Sequence, residues 1–171
     1  DHEKIRVISE AVSGEFKKVD AKTIENLKRR YKISGRYLLA VGMDIRKNPK
    51  RIINAFNLAR AGQDLKLIFV GTQKYSEVFE SRNGRVVGRI PTHDLPAFYS
   101  GAEALVYPSL YEGFGLPILE AFACGCPVVT TSDSSMSEVA GEAAVLVDPY
   151  SVDSIADGIR RVLRAKKGFS E

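Results

Sequence analysis

The sequence predicts an α/β fold, a doubly wound parallel sheet covered by helices on both faces, and three observations predict it. Short runs rich in Val, Ile and Leu alternate with amphipathic stretches along nearly the whole chain. Most of these runs are apolar throughout rather than alternating, as strands buried on both faces require. Several end in Gly or in Pro-Ser, residues that let backbone approach a ligand beyond the carboxyl ends of the strands, where open α/β sheets bind their ligands.

Taken in order, the first strand runs from Ile5 to Ile8, and the stripe Ile24, Leu27 and Tyr31 marks the first helix. Tyr37 to Val41 forms a strand that ends at Gly42. Asn48 is placed to cap the next helix and Pro49 suits its first position; Ile52, Ile53, Phe56 and Ala59 form its apolar stripe. Leu65 to Val70 runs into Gly71, and Arg85 to Val87 into Gly88. Thr92 reads as an N-cap with His93 in the first turn, ahead of Leu95, Phe98 and Tyr99. Ala104 to Tyr107 leads into Pro108-Ser109; Pro127 to Thr130 and Ala143 to Val147 complete the strands. Ile155, Ile159, Val162 and Leu163 mark the last helix. Its polar face and end carry Arg160, Arg161, Arg164, Lys166 and Lys167, where cations suit the helix dipole. That basic face reads first as solvated surface and second as a membrane-facing patch.

Composition sets the bounds. At 171 residues, with 44% apolar and 27% charged, the chain is one domain, residues 1–171 with a core from about 5 to 165. A chain of this size buries on the order of 70% of its unfolded surface, so it needs no disulfide or structural metal. No linker, repeat or low-complexity tract interrupts it, and no apolar run is long enough to span a membrane. Asp1-His2-Glu3-Lys4 has no signal-peptide character, and the missing initiator Met suggests a piece of something longer. Cys124 and Cys126 have no partner pair or nearby His, so they read as reduced thiols packed as small apolar groups, in a cytosolic setting. The net charge of +4 fits an anionic ligand, nucleic acid, an acidic membrane or nothing in particular.

Chemistry concentrates in Pro108 to Ala121. A strand ends, the loop Gly113-Phe114-Gly115-Leu116 follows, and Pro117 opens a helix whose first turn holds Glu120. A helix N-terminus behind two glycines is an anion site suited to a diphosphate. Glu112 and Glu120 flank that site. Carboxylates there would accept hydrogen bonds from neutral hydroxyls on either side of the phosphates, the layout of a nucleoside diphosphate sugar. Taken singly, each glutamate reads as an ordinary helix or loop carboxylate; with both glycines and Pro117 at these offsets, the functional reading leads. Lys47 lies past a strand end, where an ammonium can reach phosphate, and taken alone it reads equally as a solvated loop lysine. Asp-x-Asp, the dinucleotide fingerprint and the Walker loop are absent; Ile118 stands where the fingerprint needs its third glycine.

The Glu112-x7-Glu120 pattern, within Glu-Gly-Phe-Gly-Leu-Pro-Ile-Leu-Glu-Ala-Phe-Ala-Cys-Gly-Cys-Pro-Val-Val, resembles the donor-site signature of retaining glycosyltransferases of family 4 (glycosyl transferases group 1), which have the GT-B fold. The resemblance runs from Val7 to about Leu163. It takes in Arg46-Lys47-Asn48, Val86 to Ile90, Ser137 to Gly141 and Leu146 to Pro149. It implies that Glu120 binds the ribose, that Glu112 contacts the donor sugar, and that Phe114, Gly115 and Leu116 hold diphosphate and sugar beside Gly113. By the same resemblance Lys47, helped by Arg46, neutralises the leaving phosphate, Arg89 and Ile90 line the base pocket, and Gly42 lets the donor come close. Met43 departs from the family, many members of which carry Arg there; Arg46 is then expected to supply the cation.

The resemblance further implies a Rossmann-like C-terminal donor half, with no cofactor and no metal. GDP-mannose is favoured over UDP-glucose as donor. The acceptor sits on an N-terminal domain absent from this chain, so the isolated domain binds donor and transfers nothing. Expected surroundings are the cytoplasm and the inner membrane face by peripheral association, without nucleic acid. The rival readings are a noncatalytic nucleotide-sugar-binding module and, further off, an NAD-dependent enzyme.

Overall fold

The computed structural model describes residues 10–71, 83–133 and 135–168. In chain order these form α1 (Ala21–Arg30), β1 (Arg36–Val41), α2 (Pro49–Arg60), β2 (Leu65–Val70), β3 (Gly84–Gly88), α3 (Leu95–Gly101), β4 (Leu105–Tyr107), α4 (Leu116–Ala123), β5 (Val128–Thr131), α5 (Ser135–Ala140), β6 (Val145–Val147) and α6 (Val152–Gly168). The strand expected at Ile5 to Ile8 lies outside the described residues.

The described strands build one sheet in the order β3-β2-β1-β4-β5-β6, every neighbouring pair parallel. The chain winds outward from β1 to β3, then returns to lay β4 on the other side of β1. This is the doubly wound, Rossmann-like order, and its switch point falls between β1 and β4, where Leu39 pairs with Leu105. Side chains of β1 alternate between two cores. Leu38 and Ala40 join Phe56 of α2 and Ile159 of α6 on one face. Tyr37 and Leu39 join Leu27 of α1, Phe98 of α3 and Ile118 of α4 on the other. Burial on both faces explains why these strands read as continuous apolar runs. The edge strand β6 is the exception: Leu146 is exposed.

Local signals fared unevenly. Asp20 caps α1 by accepting from the Thr23 amide at 2.8 Å. Asn48 does precede α2, but it does not cap it. Its backbone is left-handed at φ 61, and its side-chain amide donates to the carbonyls of Pro108 (3.1 Å) and Pro149 (2.6 Å). Two tertiary carbonyls fix its amide nitrogen, and its side-chain oxygen accepts from the Arg51 guanidinium at 3.1 Å instead of from a helix amide. Thr92 likewise makes no cap: residues Thr92–Asp94 form a 3-10 turn and the α-helix begins only at Leu95, with Pro at its second position. α5 and the 3-10 turn Gly141–Ala143 were not expected as elements. On α6, Arg161 and Arg164 are exposed as a solvated face requires, and Arg160 donates to the Leu58 carbonyl, tying α6 to α2.

Candidate functional site

The loops after β1 and β4 meet at the switch point. Gly42 ends β1 with φ 81, a conformation glycine adopts freely. Met43 turns inward and is buried in the core. Asp44 then accepts from the Arg46 amide at 3.0 Å and starts the 3-10 turn Ile45–Lys47. Two bonds stitch this loop to the one after β4: the Leu110 amide donates to the Arg46 carbonyl at 2.7 Å, and Asn48 holds Pro108.

The result brings Lys47 and Glu112 together. Lys47 Nζ lies 2.6 Å from Glu112 Oε1, and both side chains are largely withdrawn from solvent, at 18% and 16% exposure. The same ammonium donates to the Tyr107 hydroxyl and sits 4.8 Å from that ring's centroid. The Lys47 stem crosses Gly42 so closely that a Cβ there would stand 3.1 Å from Lys47 Cγ. Burial first, and then the Glu112 carboxylate, push the Tyr107 hydroxyl far above its usual pKa, so it stays protonated beside the Lys47 ammonium.

Beyond Glu112 the loop reaches α4. Gly115, with φ 102, is the residue before that helix, which begins at Leu116 rather than at Pro117. Glu120 therefore falls on the second turn. An open cleft of about 890 Å³ is lined by Lys47, Tyr107, Glu112 and the stretch Gly113 to Pro117, so the N-terminus of α4 opens onto it. α5 closes the opposite wall. Its Ser135 hydroxyl donates to the Glu112 carbonyl at 3.1 Å, and Met136 packs under Gly115.

Glu120 is half-buried and does not line this cleft. Its Oε2 accepts from the Tyr99 hydroxyl of α3 at 2.7 Å. Desolvation raises its pKa, and the Tyr99 bond partly offsets that rise. Tyr99 itself is fully buried, and its own hydroxyl is driven well above its usual range, by burial before the Glu120 charge.

Of the residues singled out from sequence, Lys47, Glu112, Gly113, Phe114, Gly115 and Leu116 converge on one cleft, with Gly42 beneath Lys47. Arg46 does not join them: its side chain is 62% exposed and pairs with Asp44 at 3.3 Å. Arg89 is exposed after β3, at the far edge of the sheet, and Ile90 packs against the second core. His93 is exposed and lies 3.8 Å from Asp94, away from the cleft. Sequence reasoning missed Tyr99 and Tyr107, which it placed only as core residues. The available signal was tyrosine rather than phenylalanine at buried positions, since a buried hydroxyl demands a partner. Cys124 and Cys126 are buried, as packed thiols should be. No helix among the described residues is long and apolar enough to cross a membrane.

A Rossmann-like sheet that opens a glycine-walled cleft at its switch point, with a lysine and a glutamate paired inside it, defines a class of ligand-binding α/β domain. The chain belongs to the glycosyl transferases group 1 family, whose family model matches residues 24–168. It is 39% identical over 140 residues to the O-antigen chain mannosyltransferase B of Escherichia coli, covering 75% of this chain and 37% of that protein. It is 29% identical over 180 residues to the serotype-specific mannosyltransferase WbdA, also of Escherichia coli, covering 96% of this chain and 22% of that one. The crystal structure of Anabaena HepE in complex with UDP and glucose shares the fold, with a TM-score of 0.79 at 19% identity, covering 95% of this chain and 48% of the other. The chain thus spans less than half the length of each.

Proposed function

We propose that this domain binds the nucleoside diphosphate sugar of a retaining, metal-independent glycosyltransferase that moves a hexose to a hydroxyl acceptor. The observation that carries the reading is the Lys47–Glu112 pair at the mouth of α4, at the switch point of the sheet. When the sugar–oxygen bond breaks, negative charge grows on the departing diphosphate. Lys47 and the N-terminus of α4 meet that charge without a metal ion. Glu112, released from Lys47, accepts from a sugar hydroxyl, while the backbone from Gly113 to Leu116 lies against the phosphates. Glu120 takes the ribose hydroxyls, and Arg89 and Ile90 the base. Arg46 reaches the phosphates when its exposed pair with Asp44 opens, since such pairs are weak.

Mannose is the favoured sugar, supported by the two mannosyltransferases above. GDP-mannose is accordingly placed before UDP-glucose. Retention and the C-terminal position rest on the family resemblance. The acceptor belongs to a second, N-terminal domain of the whole enzyme, a reading supported by how little of each relative this chain spans. The whole enzyme works in the cytoplasm, in peripheral contact with the membrane's inner face. The isolated domain binds donor but transfers nothing.

Calorimetric titration with GDP, UDP, ADP, NAD and the corresponding sugar nucleotides, each with and without EDTA, tests the reading. GDP and GDP-mannose should bind best and EDTA should change nothing. Preference for NAD, no nucleotide binding, or loss of binding in EDTA overturns it. Glu112→Ala should lower affinity for the sugar nucleotide relative to the bare nucleotide; an unchanged ratio removes the sugar-contact role.

A further inference from the structure

We infer that Tyr99 and Tyr107 are positioning residues, one for each end of the donor: Tyr107 sets the Lys47 ammonium and the Glu112 carboxylate, and Tyr99 sets Glu120. The inference rests on the donor-site reading above and adds to it two residues that act through the groups they hold.

The two tyrosines come from different elements and solve the same problem. A glutamate has several rotatable bonds and an aimless carboxylate unless something fixes one of its oxygens. Tyr107 closes β4 and, at 1% exposure, stands in the wall of the cleft. Its hydroxyl accepts from Lys47, whose ammonium lies 2.6 Å from Glu112 Oε1, so one fixed atom sets the ammonium and, through it, the carboxylate that the diphosphate and sugar must meet. Tyr99 lies on α3 with 0% exposure, its ring 6.2 Å from that of Phe16. Its hydroxyl donates to Glu120 Oε2, leaving Oε1 as the atom that faces a ribose hydroxyl. Neither hydroxyl can ionise at neutral pH, because burial holds both far above their usual range. Each is thus a permanently neutral hydroxyl fixed in a packed core, that of Tyr99 donating to Glu120 and that of Tyr107 accepting from Lys47.

Removing one hydroxyl while keeping the ring should disturb one end of the ligand only. The nucleoside and its α-phosphate are shared by GMP and GDP; the β-phosphate is present in GDP alone. Tyr99→Phe should therefore weaken GMP and GDP equally, by about three- to tenfold, and leave their affinity ratio unchanged. Tyr107→Phe should leave GMP within about twofold and shrink the GDP-to-GMP ratio by about three- to tenfold. A purely structural role would lower both ligands together in both variants, and that outcome, or no change in either, overturns the inference. If native protein binds neither GMP and GDP nor UMP and UDP, the donor-site reading fails instead, which keeps the two failures apart.

Should a phenylalanine variant not fold, 3-fluorotyrosine placed at position 99 or 107 of the native chain gives a second readout. The ¹⁹F resonance at 107 should move with GDP and not with GMP, and that at 99 with both. Equal responses at the two positions overturn the inference.

Discussion

Replacing Lys47 by methionine separates a held ion pair from a surface one. At 2.6 Å and with an effective dielectric of about 20, the attraction between Lys47 and Glu112 is on the order of 6 kcal/mol. Withdrawing each ion from water costs several kcal/mol, so the intact pair contributes little net stability. Breaking it is another matter. With 16% of its side chain exposed, Glu112 would be left as a mostly buried, uncompensated carboxylate. Loss of one member of a fully buried pair costs about 3 to 5 kcal/mol; residual exposure lowers that here to about 2 to 4. In a chain of this length the change corresponds to a Tm drop of about 5 to 15 °C. Lys47→Met/Glu112→Gln, which leaves no charge behind, should return to within about 1 kcal/mol of the native chain. Urea denaturation followed by circular dichroism, without nucleotide, measures all corners of the cycle. If the double variant loses the sum of the two single losses, or if Lys47→Met changes stability by less than about 0.5 kcal/mol, the two charges are not coupled and the site geometry argued above is wrong.

Three further outcomes follow from the structure. Burial raises the pKa of Glu120, so its ionised form is disfavoured in the folded state and stability declines as pH rises through the ordinary glutamate range toward the raised value. Glu120→Gln should accordingly melt higher than the native chain at pH 7, with the gap closing toward about pH 4; a lower melting temperature at pH 7 contradicts this. Burial pushes the Cys124 thiol up to about 11, and Cys126 is as deeply packed, so neither should react with a disulfide reagent at pH 8 until urea is added, when two thiols appear. Gly115→Ala, at φ 102 with a Cβ 3.1 Å from Met136 and 3.3 Å from Ile118, should cost about 1 to 3 kcal/mol in urea denaturation, whereas Gly113→Ala, whose Cβ meets nothing within 4 Å, should stay within about 1 kcal/mol.

The sheet was legible because burial on both faces writes itself into composition: Tyr37 to Val41 is apolar throughout, Leu65 to Val70 is broken only by Lys66, and both match their strands within a residue. The strand ends were legible because backbone turning sharply out of a strand at positive φ favours glycine, as at Gly42 and Gly71. Contacts set by distant parts of the chain were not legible. Asn48 obeys the local rule for a cap in position alone, because its partners stand 60 and 101 residues away. Arg46 and Lys47 are neighbours in sequence, yet one faces Asp44 and solvent and the other the cleft, a choice made by the 3-10 turn. α5 spans only 6 residues, too few for a periodic signal, although it walls the site. Two hydroxyls that sort the glutamates hid inside apolar stripes, since periodicity registers a tyrosine as a ring.

The pairing of Lys47 with Glu112 gives the cleft a tethered competitor. A free anion that enters must displace a carboxylate already held at contact distance, an intramolecular rival whose effective concentration is in the millimolar range or higher. Inorganic phosphate offers the displaced Glu112 nothing in exchange. On the proposed donor role a diphosphate joined to a sugar does, because the sugar's hydroxyls would become the new partners of the carboxylate it evicts. Selectivity for the intact donor over its fragments would then lie in what the site does with its own displaced charge, and small anions abundant in a cell would leave the cleft unblocked.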